Sequence, residues 1–267
     1  MTNVKLMLDH VGLMTGDKDK TASLLRHLGF VFGSSAADKS IHVMFKNAYM
    51  ELLQIPKDGS APDAKPGLYV IIVGTDQMEE SYAAYKEAGC AITESSKSKR
   101  MAKHGANKGE AEFWGTRYEE KEPFGPGAYY GFVQHMTPEL IYSKERFLQV
   151  NDVTAISGVI FVCADPDGQE TAKAQLEAKN CYIKNSPGFD RGVHSGSILS
   201  PAEYEAMFGT SYADGKPFDL AALVFEGSDI KYVREQLSIL PEVAHFEKDG
   251  KLYADMRAAC GCFFVFA

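Results

Sequence analysis

At 267 residues the chain exceeds what one small core needs, so one large unit or two packed units are expected. A net charge of −8 argues against a phosphate backbone or an anionic membrane as main partner, and no apolar run approaches the ~20 residues that cross a bilayer. The first residues lack the basic-then-apolar order of a secretory signal, and Cys90, Cys163, Cys181, Cys260 and Cys262 contain no C-x-x-C pair, so a reducing, cytoplasmic setting is expected.

The chain opens on an apolar run, Leu8-Asp9-His10-Val11-Gly12-Leu13, followed by Thr15-Gly16-Asp17. Leu24, Leu25 and Leu28 then recur at helical spacing, and Gly29 suits a helix C-cap. A short strand near Phe30 to Gly33 and two longer ones, Ile41 to Phe45 and Tyr49 to Ile55, complete a β-α-β-β order. A polar, proline-containing connection at 56–66 leads to a second strand run at 68–73 before Gly74-Thr75-Asp76. Its helix runs through Met78, Tyr82 and Tyr85 to Gly89, and its closing strand is 129–135. Between them, 94–109 reads as a charged solvated loop, or as a lid presenting Arg100, Lys103 or His104 to an anionic substrate.

The same order returns at 156–162 with a helix at 172–179, and again at 220–225 with a helix at 230–237 and a last strand in 261–266. Recurrence at a fixed period signals a fold built from repeated units. The joint at 143–152 has no Gly or Pro run, so the two halves should pack together. In the long stretch 187–215, Ser200-Pro201-Ala202-Glu203 reads as a capping box opening a helix to Phe208, and the insertion could reach back over the first half. His194 and His245 lack a partner pattern, and Cys260-x-Cys262 reads as core packing in a terminal strand. Phosphate-binding loops, dinucleotide fingerprints, G-x-S-x-G and H-E-x-x-H are all absent.

The run 8–13 together with Leu28-Gly29-Phe30, Tyr49-Met50-Glu51-Leu52-Leu53 and Gln134-His135-Met136-Thr137-Pro138-Glu139 resembles the vicinal oxygen chelate superfamily, which joins glyoxalases, bleomycin-resistance proteins and extradiol dioxygenases. The resemblance is to its glyoxalase-like domain proteins and is clear over 5–143; beyond that it rests on element order. It implies an α+β fold of four tandem βαβββ modules pairing into two cup-shaped mixed sheets, with residues 1–147 forming one cup and 148–267 a diverged second.

In such a cup the first and last strands of a module meet at its centre. His10 on the first strand and Glu51 on the last are then brought together, and a carboxylate among Met50, Leu52 and Leu53 needs a cation or an ion pair. Either Gln134 or His135 faces inward, because strand neighbours point to opposite faces; His135 would complete a set of two imidazoles and one carboxylate for Fe2+, Mn2+, Ni2+ or Zn2+. Each has a plainer reading: a hydrogen-bonded core histidine for His10, an Arg or Lys ion pair for Glu51, a strand exit for His135.

His42 is a candidate acid or base, and Tyr69, aligned with His10 by matching Asp76 to Asp17, a candidate hydrogen-bond donor to a metal-bound oxygen. Trp114, Tyr130 and Arg100 are candidate substrate contacts, with Tyr129 in the same aromatic group. Gly158 and Ala222 stand at the position of His10 in the later copies, and Phe263 and Phe264 at that of Glu51, so the second cup should lack a metal. The resemblance therefore implies a metal-dependent glyoxalase- or dioxygenase-like enzyme, a lyase or isomerase in the first case, acting on a small-molecule substrate with neighbouring oxygens, without nucleic acid or membrane as partner. A homodimer is compatible with the chain. The rival is a metal-free small-molecule binder of the bleomycin-resistance type.

Overall fold

The computed structural model describes residues 6–33, 40–61, 64–87, 89–102, 108–119, 128–142, 144–165, 167–178, 198–213 and 216–267. The expectations attached to Lys103, His104, Cys181 and His194, and to residues 187–197 of the long stretch 187–215, lie outside these residues.

The first half contains β1 (Leu6–Thr15), α1 (Lys18–His27), β2 (Phe32–Gly33), β3 (Ser40–Met44), β4 (Tyr49–Gln54), β5 (Gly67–Thr75), α2 (Met78–Glu87), β6 (Ser96–Ala102), β7 (Gly109–Arg117) and β8 (Tyr129–His135). They form one curled mixed sheet in the order β2-β3-β4-β1-β5-β8-β7-β6. Each module pairs its first strand in parallel with its last, β1 with β4 and β5 with β8, and the two modules join through antiparallel β1 and β5. The second half contains β9 (Ala155–Cys163), α3 (Gln169–Ala178), β10 (Ile198–Leu199), α4 (Pro201–Phe208), β11 (Phe218–Glu226), α5 (Ile230–Ser238), β12 (His245–Lys248), β13 (Lys251–Asp255), α6 (Arg257–Cys260) and β14 (Phe263–Phe266). Its sheet runs β10-β9-β11-β14-β13-β12, again with β9 and β11 antiparallel and β11 and β14 parallel. The architecture is the expected α+β arrangement of curled mixed sheets.

A single irregularity repeats in all four first strands. The pairing register slips at Asp9 in β1, Tyr69 in β5, Ser157 in β9 and Ala221 in β11, each leaving one residue without a cross-strand partner. Such a bulge breaks the alternation of faces, so the bulged residue and its successor can turn the same way. Matching the bulges places Val70, Gly158 and Ala222 at the position of His10. Tyr69 therefore stands where Asp9 stands, one residue from the expected alignment.

The helix side of both sheets is one continuous buried cluster. Leu25 of α1 and Leu28 at its C-cap, Tyr85 of α2, and Val233 and Leu237 of α5 all belong to it, as do strand residues of both halves. Phe30 sits among Phe45, Phe225, Phe264 and Phe266, with ring centroids 5.2–6.2 Å away. The joint is tied at both sides by buried amides: Asn151 donates to the Leu28 carbonyl and Gln149 to that of Met44. Gly261, at φ +77°, lets the second half approach Gly67 so closely that a Cβ would lie 2.4 Å from its Cα.

The opposite faces of the two sheets differ. In the second sheet, Tyr204 and Phe208 of α4 cover Ala221, Ala222, Phe263 and Val265, with Phe208 stacked on Phe263 at 4.3 Å. The expected capping box does open α4, Ser200 accepting from the Glu203 amide while Glu203 accepts from that of Ser200. The helix seats on its own sheet. In the first sheet this face is open and hollow, and an apolar cluster of Met44, Tyr49, Ala102, Ala111 and Ile141 bridges its two ends. Among the described residues no helix is long and apolar enough to cross a membrane.

Candidate active site on the open face of the first sheet

Register fixes which side chains share the open face. Glu51 lies beside Gly12 and His10 beside Tyr49 across β1 and β4; His42 lies opposite Glu51 across β3 and β4; His135 lies opposite Phe113 across β7 and β8. His10, Tyr49, Glu51, Arg100, Phe113 and His135 line one cavity of about 270 Å³. A neighbouring cavity of about 450 Å³ shares His10, Ser96, Gly115 and Val133 with it and adds Arg117 and Tyr129.

Asp9 organises this face. It is 3% exposed, and the bulge turns its carboxylate toward the same side as His10. One oxygen accepts from His10 Nδ1 at 2.6 Å; the other accepts from His135 Nε2 at 2.7 Å and from the Tyr142 hydroxyl at 2.6 Å. Burial opposes charge on Asp9, yet the hydrogen bonds from His10 and His135 outweigh it and hold the carboxyl well below the usual carboxylate range. An ionised carboxylate only accepts, so Nδ1 of His10 carries a hydrogen, and Nε2 is the ring nitrogen turned away from Asp9. Tyr49, stacked on that ring at 4.4 Å and 19°, fixes its plane.

His10 Nε2 lies 3.9 Å from Glu51 Oε2. The other oxygen of Glu51 accepts from His42 Nε2 at 3.2 Å. Burial again opposes the charge, but the His42 hydrogen bond and the two neighbouring imidazoles lower the Glu51 pKa from 4.5 to about 2. Burial pushes His42 down from 6.5 despite Glu51 beside it, so the pair is a neutral imidazole donating to a carboxylate. His42 thus supports Glu51 and, at 8% exposure, is sunk behind it.

Both lowered pKa values carry the same sign for stability. A depressed folded-state pKa contributes stability that is present above the unfolded value and is lost as pH falls. Loss begins below about pH 6.5 through His42, and Glu51 adds on the order of 3 kcal/mol between pH 4.5 and 2. Glu51→Gln is expected to flatten the acid limb of a urea-melt stability profile. Equal acid limbs for both proteins would refute the ionised Glu51–His42 pair.

The ligand set implied by the resemblance forms in part. His10 Nε2 and Glu51 Oε2 face a common space, and the carboxylate behind His10 is the support that metal-bound imidazoles use. His135 differs: its Nε2 is engaged by Asp9, and its buried Nδ1 has no hydrogen-bond partner among the described residues. Among the described residues no three His, Cys, Asp or Glu side chains are grouped as an ion requires. His10, Glu51 and His135 are walls of one cavity and do not make a three-ligand sphere.

Gln134 faces the helix side and not the cavity. Its carbonyl accepts from the Met78 amide at the start of α2, while its side-chain amide donates to the Asp76 carbonyl. Gln54 does the same for Lys18 and Gly16 in the first module. Trp114 shares a register position with Gln134, packs against the helix-side core and carries Lys97 over its ring, so it is not a cavity wall; its neighbour Phe113 is. Tyr130, fully buried in the same core, is likewise replaced at the cavity by Tyr129. Tyr69 packs edge-on against Tyr129 and lines neither cavity, so its contact with the site is indirect. The expected loop carrying Arg100 is the edge strand β6, and Arg100 does reach the cavity. In the fourth module Val265, not Phe263 or Phe264, occupies the register position of Glu51, beside Val224.

The sequence pattern of the glyoxalase-like domain family matches residues 8–178. No curated protein matches. Among solved structures, a hypothetical protein from Staphylococcus aureus superposes with a TM-score of 0.58 at 9% identity, covering 98% of this chain and 99% of the other. Homoprotocatechuate 2,3-dioxygenase from Arthrobacter globiformis gives 0.56 at 15% identity, covering 98% and 80%. The Mn(II)-bound glyoxalase from Novosphingobium aromaticivorans gives 0.53 at 12%, covering 98% and 83%. At these identities the structures speak for the fold, and the sequence match extends over more than half of the chain. The chain belongs to the glyoxalase-like domain family of the vicinal oxygen chelate superfamily.

Proposed function

We propose that the chain is an enzyme that moves a proton on a small oxygen-bearing organic substrate in the cavity of the first sheet. His10 Nε2 takes the proton from carbon next to a carbonyl and returns it to the neighbouring carbon or oxygen. Asp9 holds the ring in the productive tautomer and stabilises the imidazolium formed, as an orienting carboxylate does for other histidine bases. Glu51, kept ionised by His42, accepts a hydrogen bond from the substrate hydroxyl or enol. The single observation that carries this reading is the 2.6 Å Asp9–His10 contact, which commits Nδ1 to Asp9 and leaves Nε2 facing Glu51.

Incubation of the protein in D2O with 2-oxo acids and thiohemiacetals, followed by NMR, should reveal exchange at the carbon next to the carbonyl. His10→Gln, which keeps volume and polarity but cannot act as base, is expected to lower the exchange rate about 10²–10⁴-fold. Undiminished exchange in that variant would end the proposal.

A second reading, metal-dependent glyoxalase or dioxygenase chemistry, is favoured by the His10 Nε2–Glu51 Oε2 pair with a carboxylate behind the imidazole. A divalent ion seated on that pair would supply Lewis acidity to substrate oxygens. Calorimetric titration with Mn2+, Fe2+, Ni2+ and Zn2+ against Glu51→Gln tests it. Equal affinity in both proteins would remove the pair as a metal seat.

A further inference from the structure

We infer that the substrate of this cavity carries an oxyanion group, carboxylate or phosphate, which seats on Arg100. The inference rests on reading the His10–Glu51 cavity as a substrate site, and it names the chemistry of the end of the molecule away from His10.

Pairing within the cavity is the first support. Its two deep carboxylates already have hydrogen-bond donors: Asp9 accepts from His10 and His135, and Glu51 from His42. Arg100 is not so matched. Among the described residues it forms no ion pair, whereas the adjacent Lys99 is held by Glu110 and Glu112 at 2.8 and 2.6 Å. A guanidinium cannot lose its proton at accessible pH, so the mouth of the cavity carries a fixed positive charge on a chain whose net charge is −8.

Geometry is the second. Arg100 lies over the face of Phe113 at 4.5 Å from the ring centroid and lines the same cavity as Tyr49, so an aromatic group on β7 braces it and one on β4 lies nearby. A braced fork loses less freedom when it grips a planar anion through two parallel N–H bonds. Ser96 and Ser98, four and two positions before it on the same strand, line the same cavity and add hydroxyl donors. Tyr49 and Phe113 present ring surface to the space between Arg100 and His10, which suits a flat molecule. The cavity, at about 270 Å³, limits that molecule to a small one.

The experiment uses the full chain and three probes of one shape: benzoate, phenyl phosphate and neutral benzamide, with binding followed by calorimetry or NMR at low and high salt. Benzoate or phenyl phosphate should bind at least about tenfold more tightly than benzamide, weaken with salt, and lose about ten- to a hundredfold in Arg100→Ala. Arg100→Lys, which keeps the charge but not the fork, should recover only part of the loss. The tighter of the two anions identifies the group as carboxylate or phosphate. Benzamide binding as well as the anions, no probe binding at all, unchanged affinity in Arg100→Ala, or loss confined to Arg117→Ala at the far cavity would each overturn the inference. Because binding needs no turnover, charge-dependent affinity in a protein without proton exchange would sink the proposed function alone, and exchange without charge-dependent affinity would sink this inference alone.

Discussion

Asp9→Asn is expected to abolish most of the exchange activity and to destabilise the protein, because no other residue can take over three hydrogen bonds at once. The carboxylate accepts from His10 Nδ1, His135 Nε2 and the Tyr142 hydroxyl, all within 2.7 Å. Asparagine offers one accepting oxygen and one donating amide. At least one imidazole must then present a bare nitrogen to the amide, which shifts its hydrogen to the other ring atom. If that ring is His10, Nε2 becomes protonated and can no longer act as base; a wrong tautomer of this kind costs roughly 10²–10⁴ in rate, the size of the general-base contribution. Removing one member of a buried, mutually satisfied ionic cluster costs about 3–5 kcal/mol. The two effects separate in measurement. Nitrogen-15 NMR of the imidazoles reports the tautomer, urea melts report stability, and exchange rate reports function. If the variant kept its rate and the His10 tautomer while losing only stability, Asp9 would be a structural residue and the proposed base would lack its support.

The sequence made some of this visible and hid the rest for identifiable reasons. Glu51 stood out as a carboxylate inside an apolar strand, and His10 as the one imidazole in a repeated first strand. Asp9 beside it did not stand out, because strict alternation puts neighbours on opposite faces; only the register slip at Asp9 turns both to the cavity. The same rule of alternation governed the aromatic pairs. Trp114 and Phe113, or Tyr130 and Tyr129, are equivalent in composition, and the choice depends on a register set by β8, where Gln134 caps α2 and commits His135 to the open face. Strand β6 is masked by its composition: an exposed edge strand, Ser-Lys-Ser-Lys-Arg, has no apolar period to betray it. The destination of α4 was equally unreadable, although its capping box marked where it begins. A cap fixes the start of a helix and says nothing of the sheet it covers.

Phe30→Ala is expected to lower stability of both halves together by about 3–5 kcal/mol, the usual cost of emptying an aromatic site in a packed core. Phe30 follows Gly29 in the first module, and its ring is surrounded by Phe45 from its own half and by Phe225, Phe264 and Phe266 from the other. Phe45 follows β3, Phe225 lies on β11 and Phe264 and Phe266 on β14, each held by its own sheet, so they cannot close over the space that truncation leaves. At roughly 2–4 °C per kcal/mol for a chain of this size, the melting temperature should fall by about 10 °C. The sequence provides a reporter for one half: its single tryptophan, Trp114, lies in β7. Tryptophan fluorescence and far-ultraviolet circular dichroism should give one coincident transition in the parent chain and one coincident, lower transition in the variant. Separate transitions, or a shift in only one signal, would mean that the halves fold around separate cores. The consequence reaches the cavity, because the joint residues Gln149 and Asn151 that fasten the halves also bond to backbone at Met44, Val31 and Leu28. Met44 ends β3, the strand that carries His42 behind Glu51. Loosening the shared core therefore loosens the support of the Glu51 carboxylate, and the variant should lose its acid-side stability slope along with its melting temperature.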